Sequence, residues 1–294
     1  MRSHRVKDKL PGRINHSATG FMNHSVGFGA LVLSTLIIAG CGFLSPSKLP
    51  GDIPVRFSDL QVAEDCSHQI KLDNKLWDVD YLAFYLSEPR VKIDGRWQAL
   101  SFIPNDYQSR TVSLLTFTDS CKTRKNPVTV QLDANEKLLQ RASSIRFTLG
   151  LPFTENHLLE DNAAAPINHT AMFQSLRVGH SFMRIELKQV RDPSSLWSFM
   201  LASGQCDAPA DDKTPSSCAK PNRVTVDLPL KANVEDLRLS ASLREIVFRA
   251  MQREKASCNL GEDSSQECTK VLGNLTSREW IRWDAPHQEY LKQN

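Results

Sequence analysis

The sequence lacks the common signatures of catalysis. No G-x-S-x-G, P-loop or G-x-G-x-x-G run occurs in its 294 residues, which removes nucleophile-elbow hydrolases, P-loop NTPases and dinucleotide-binding enzymes from consideration. Ser203, in Leu201-Ala202-Ser203-Gly204, has no second glycine to make an elbow. Paired acids such as Glu64-Asp65 and Asp211-Asp212 read as solvated loop charges. Also missing are H-x-H, H-E-x-x-H, EF-hand and C-x-x-C spacings, so no ready-made metal motif is present. There is no internal repeat, and the apolar run Val26–Ala39 is too short to span a bilayer comfortably. An enzyme in its own right is not expected.

An excess of charge is lacking too, once the leader is set aside. Arg2, Arg5, Lys7, Lys9 and Arg13 precede the apolar run, which closes on Ile38-Ala39-Gly40-Cys41. A basic lead, a short apolar run and small residues before a break describe a secretory signal over residues 1–40, with Met22 an alternative start. The small-small-Cys ending resembles the bacterial lipobox and predicts a lipid anchor on Cys41; the plainer alternative is an ordinary signal peptide. Gly42 is not the Asp of inner-membrane retention, so the expected address is the periplasmic side of the outer membrane or the cell surface. Several acyl chains on one cysteine anchor firmly. Residues 1–40 hold five basic side chains and one acidic one, so their removal leaves 31 Lys+Arg against 32 Asp+Glu, net −1. A nucleic-acid partner is therefore not implied.

With Cys41 acylated, Cys66, Cys121, Cys206, Cys218, Cys258 and Cys268 remain. An even number in an exported chain reads as a disulfide framework whose connectivity stays open. Short separations favour Cys206–Cys218 and Cys258–Cys268, leaving Cys66–Cys121. Residues 41–54, rich in Pro, Gly and Ser, read as a tether, and 55–294 as one domain. Strand patterns follow at Val55–Phe57, Leu60–Val62, Trp77–Val91, Trp97–Leu100, Val112–Phe117, Val128–Leu132 and Arg223–Leu230, with Asp94-Gly95 as a hairpin turn. Leu138–Ala142 suggests one helical turn. Ser240–Lys255 gives the best helical periodicity, with Ser240 as its cap. The tail carrying Trp280 and Trp283 has no clear pattern. The predicted fold is mainly β: an antiparallel, sandwich-like single domain with a few short helices, stapled by disulfides.

Candidate chemistry gathers in Arg146–Leu187, two strand-like arms around a polar excursion holding His157, His169 and His180. Neutral imidazoles suit copper or zinc, and thioethers from Met172, Met183 or Met200 suit copper(I). Loop histidines that ligate nothing, and methionines that fill a core, are the alternative.

The order of these pieces resembles a known family. Phe147-Thr-Leu-Gly-Leu-Pro-Phe153, Asn156-His157, Pro166-Ile-Asn168, Met172-Phe173, Gly179 and Phe182-Met-Arg-Ile185 are similar to the MbnP-like, or metallo-mystery pair four-Cys motif, proteins. Phe84-Tyr85, Leu114–Phe117, Leu201–Cys206, Cys218, Pro221-Asn222-Arg223 and the Cys258, Cys268 pair add to the likeness. The resemblance implies an exported copper-binding β protein. It also implies a dihaem cytochrome c peroxidase-like partner, which oxidises a tryptophan of its MbnP-like protein to kynurenine. The sequence departs at that chemistry: Gln174-Ser175-Leu176 stands where the family has Trp-x-Trp, and Met200 replaces a histidine. Neither 174 nor 176 can yield kynurenine. Trp77, Trp97, Trp197, Trp280 and Trp283 are substitutes that no motif supports. Two readings follow: a divergent copper binder using His157 with Met200, His169 or His180, or a metal-free binding or structural module that keeps the fold.

Overall fold

Lys75–Ile93 forms one 19-residue strand, and the larger sheet is assembled around it. The computed structural model describes residues 48–62, 67–117, 128–158, 163–211, 213–230, 237–251 and 266–284, with 257–259 described by backbone alone. The leader, Cys41, Cys66 and Cys121 lie outside the described residues, as does the side chain of Cys258.

In chain order the first strands are β1 (Asp52–Phe57), β2 (Gln61–Val62), β3 (His68–Leu72), β4 (Lys75–Ile93), β5 (Arg96–Ala99), β6 (Val112–Thr116), β7 (Thr129–Gln131) and β8 (Ala142–Leu149). Then come β9 (Phe173–Ser175), β10 (Gly179–His180), β11 (Met183–Gln189), β12 (Leu196–Leu201), β13 (Gly204–Cys206) and β14 (Cys218–Lys220). The last are β15 (Val224–Pro229), β16 (Leu239–Ala241), β17 (Ser257–Asn259) and β18 (Ile281–Trp283). The helices are short: α1 (Glu136–Gln140), α2 (Phe153–Asn156), α3 (Leu243–Ile246) and α4 (Gln266–Ser277).

One sheet runs β15-β8-β4-β11-β12-β17, with β3, β5 and β6 also pairing β4; a second runs β18-β16-β1-β7, and β9–β10 and β13–β14 are separate two-stranded pairs. Pairing is mostly antiparallel, as expected, but β1–β16 and β12–β17 are parallel. The fold is mainly β and sandwich-like, with the layers joined by aromatic packing. Phe57 of β1 meets Phe117 edge-on at 4.7 Å, Phe117 stacks on Phe84 of β4 at 5.6 Å, and Trp280 meets Phe84 edge-on at 5.7 Å. Such contacts add to the area that each ring buries. Trp280, which had no pattern in the sequence, is thus a core residue, with its indole N–H donating to Leu275 O at 3.1 Å.

Local pattern explains several elements. Val224–Pro229 alternates strictly between buried and exposed, as a half-buried strand should. Asp94 (φ 50°) and Gly95 (φ 78°) both adopt the left-handed conformation of a two-residue hairpin loop, so β5 returns along β4.

Three expectations are corrected. The strand β1 starts at Asp52, inside the stretch 41–54 read as tether, and Gly51 O already accepts from Leu132 N at 2.8 Å. The helix expected over Ser240–Lys255 is not formed among the described residues. Leu239–Ala241 is a strand between β1 and β18, and only the four residues of α3 are helical. The cap is Ser242 rather than Ser240, braced by Asp59, whose carboxylate accepts from Ser242 Oγ and from Leu243 N and Arg244 N at 2.8–3.1 Å. Tertiary pairing outweighs helical periodicity here. Among the described residues the longest helix is instead α4, whose Asn274 amide donates to Ile246 O and Phe248 O.

Candidate functional site

Tyr85 fixes both ends of the histidine-bearing excursion. Gly150 N, just past β8, donates to Tyr85 O at 3.0 Å; Tyr85 N donates to Phe182 O, just before β11, at 2.8 Å. The excursion 150–182 therefore leaves and rejoins the sheet across one residue of β4. Burial holds the Tyr85 phenol well above its usual range, so it stays neutral, and it donates to Pro166 O at 3.3 Å.

Asn156, the last residue of α2, is fully buried and joins the parts of this excursion. Its side-chain oxygen accepts from His180 N at 2.8 Å. Its amide nitrogen faces Val178 O at 3.0 Å, His157 Nε2 at 3.2 Å and Ser203 Oγ at 3.4 Å. Its backbone oxygen lies 3.0 Å from His180 Nδ1. Gly179 (φ +82°) passes so close that a Cβ there would lie 2.4 Å from Asn156 Nδ2 and O. Only glycine serves at that position. Sequence reasoning placed Asn156 in a family match but gave it no role, and took Ser203 only as a failed nucleophile; neither spacing carries the signal, because the contacts are non-local.

His157, the leading candidate ligand, is buried at 7% exposure. Its Nδ1 lies 3.1 Å from Leu176 O and must carry the proton to bond there; Nε2 is left with its lone pair, facing the Asn156 amide. The Phe153 ring covers it at 4.6 Å, and Cys218 Sγ is 3.6 Å from Nε2. Desolvation lowers the His157 pKa, opposed in part by the bond to Leu176.

The other candidates lie elsewhere or are already engaged. Both ring nitrogens of His180 face backbone carbonyls, Nδ1 to Asn156 O and Nε2 to Ile167 O, each at 3.0 Å. This ring braces the excursion and turns neither nitrogen toward an open coordination site. His169 stacks on Tyr107 at 5.4 Å, lining an open surface cleft with Asp106, Ala165 and Asn168. Met200 is half-buried on the outward side of β12, opposite the buried Trp197, Phe199 and Leu201, and pairs in register with Arg184. Met172 and Met183 are fully buried in the core.

The bridge expected between Cys206 and Cys218 is formed, across the hairpin β13–β14. The Asp207 carboxylate accepts from Ser216 N at 2.7 Å and Ser217 N at 3.0 Å, and the serine hydroxyl and amide bonds lower its pKa to about 2. Arg177 pairs with Asp211 at 2.9 Å, holding this loop to the excursion.

Among the described residues, one set of three His, Cys, Asp or Glu side chains brings its donor atoms within 4.8 Å of one another: His157, Cys206 and Cys218. Two of the three donors are sulfurs bonded to each other, and a metal is held by thiolates. A resident copper needs several converging imidazole or sulfur donors. Among the described residues, the oxidised chain provides one imidazole nitrogen at this place, so those residues do not fit the copper that the resemblance implies.

Two outcomes follow. Gly179→Ala should lower unfolding stability by about 2 kcal/mol or more, through the clash with Asn156 and the strain of a left-handed alanine; an unchanged urea midpoint would contradict the Asn156 contact. His157 has a folded pKa below its unfolded value, so its contribution is complete above about pH 6.5 and is lost as pH falls toward the folded value. His68, buried with Nδ1 lacking a hydrogen-bond partner, acts with the same sign. Unfolding free energy should therefore fall from pH 7 to pH 5, and His157→Gln should flatten that slope by at most about 1.4 kcal/mol per pH unit. An identical slope in the variant would show that His157 is protonated equally in both states.

The comparisons with known proteins agree with this architecture. A family model described as MbnP matches residues 51–267. Among solved structures, MbnP from Methylosinus trichosporium aligns with a TM-score of 0.54 at 17% identity, covering 73% of this chain and 80% of that one. At that identity the likeness is one of fold. No curated protein matches. Because the matched region covers well over half of its residues, the chain belongs to the MbnP family.

Proposed function

We propose that this chain is an exported lipoprotein, anchored by acylated Cys41 on the periplasmic side of the outer membrane or at the cell surface. Its MbnP-family domain acts as a non-catalytic binding or structural module that holds no resident copper while its disulfide is intact. A dihaem cytochrome c peroxidase-like protein is the class of partner proposed, with its chemistry directed at something other than a tryptophan at 174 or 176. The leader and Ile38-Ala39-Gly40-Cys41 support the anchor, and the missing catalytic motifs support the absence of turnover.

One observation carries the copper-free part. In the segment where the family's metal chemistry would lie, the polar groups are already bonded to one another around Asn156. The positions that depart from the family take part. Gln174 Nε2 donates to Ser181 Oγ at 2.9 Å, and Leu176 offers its carbonyl to His157. The competing reading, a divergent copper binder, is favoured by a single feature: the Nε2 lone pair of His157, whose other nitrogen is fixed by a carbonyl as in many metal sites.

Titration of the oxidised, lipid-free protein with copper(I) and copper(II) against a competing chelator separates the two. A copper-free module should show affinity no tighter than micromolar, unchanged in His157→Ala. Submicromolar binding that disappears in His157→Ala would overturn that reading.

A further inference from the structure

The disulfide, the imidazole and the hairpin that carries the bridge lie together for a reason beyond stapling. We infer that Cys206–Cys218 is the closed form of a soft-cation site: once the bridge is reduced, the two thiolates and His157 Nε2 make a donor set of one imidazole and two sulfurs for copper(I) or zinc(II). This goes beyond the copper-free reading of the oxidised chain and does not depend on it.

The geometry already contains most of such a site. Metal bonds of about 2.3 Å to sulfur and about 2.0–2.1 Å to nitrogen, in tetrahedral arrangement, place an N···S edge at about 3.5–3.6 Å. His157 Nε2 and Cys218 Sγ stand at 3.6 Å. The sulfurs must part to an edge of about 3.8 Å, which side-chain rotation on facing residues of a hairpin can supply. The imidazole needs no rearrangement of its proton, because Nδ1 is committed to Leu176 O and the lone pair sits on Nε2.

The surroundings can release that lone pair without leaving an orphan. The Asn156 amide has Val178 O at 3.0 Å and Ser203 Oγ at 3.4 Å as acceptors for its two hydrogens, so its contact with Nε2 is dispensable. Nor does the hairpin rely on the bridge alone. Gly204 pairs with Lys220, Asp207 holds Ser216 N and Ser217 N, and Asn222 Nδ2 donates to Ala202 O at 2.8 Å. Both cysteines are half-buried, open enough for an exchange partner and close enough to the buried imidazole to share a cation with it.

The redox step balances with one named co-reactant. A dithiol of the thiol–disulfide exchange class attacks the bridge and becomes a disulfide itself, while Cys206 and Cys218 take up its two electrons and two protons as thiols. Binding the cation then releases one proton from each thiol. Soft thiolates with one imidazole suit a d10 ion and disfavour the hard cations.

The test uses the full chain in detergent, titrated anaerobically with copper(I) alone and zinc(II) alone. The oxidised form is compared with protein reduced by a phosphine that is then removed. Reduced protein should bind at least about 100-fold more tightly than oxidised protein. X-ray absorption should show two sulfur neighbours and one nitrogen neighbour. Cys206→Ser/Cys218→Ser should abolish the gain even after reduction, and His157→Gln should weaken it by about tenfold or more. Near-ultraviolet circular dichroism follows the fold throughout. Equal affinity before and after reduction, a gain that persists in the double-serine variant, a shell without nitrogen, or loss of the fold on reduction would each overturn the inference. Tight binding by the oxidised protein would instead sink the copper-free reading, leaving the double-serine comparison to judge this site.

Discussion

Every hydrogen bond of a fully buried asparagine must come from the protein around it, because leaving such a group unpaired costs roughly 1–3 kcal/mol. Asn156 meets that demand by drawing together α2, the turn before β10, the residues after β12 and two imidazoles. Gly179 is required so that one backbone can approach another. His157 is held in one tautomer, and both ring nitrogens of His180 face backbone carbonyls. Tyr85 supplies the foundation, since its backbone pins the residues on either side of the excursion to the central strand. Among the described residues, the polar groups of this region thus find their partners largely in one another.

This constraint gives the family's sequence features a physical meaning. Asn156, Gly179, Ser203 and Cys218 lie far apart in the chain but within one cluster of contacts. They specify how the excursion is seated. Gln174 and Leu176 contribute to that seating, the first through Ser181 and the second through the carbonyl that holds His157, whereas Met200 on β12 stands outside it.

Much of the β framework was legible in the chain. The long apolar run became β4, Asp94-Gly95 became its hairpin, and the alternation after Arg223 became β15. Segments whose structure depends on distant partners were not legible. Ser240–Lys255 shows helical spacing, yet pairing with β1 and the Asp59 carboxylate turn its start into a strand and a single helical turn. Trp280 finds Phe84 across the sandwich with no local pattern to announce it. At the site, His157 and the Cys206–Cys218 bridge were each readable from the sequence. Their 3.6 Å approach was not, because it arises where α2 meets the β13–β14 hairpin, about sixty residues further along the chain. Met200 was the opposite case: it looked like a ligand by position, but strand alternation turns it outward.

The claim on which the rest depends is the state of the His157 ring, since the Leu176 carbonyl and the Asn156 amide together dictate where its proton sits. Nitrogen-15 correlation spectroscopy of the histidine side chains at neutral pH reads this directly. The expected result is a neutral His157 protonated at Nδ1, with an unprotonated Nε2. A proton on Nε2, or a doubly protonated ring, would contradict it.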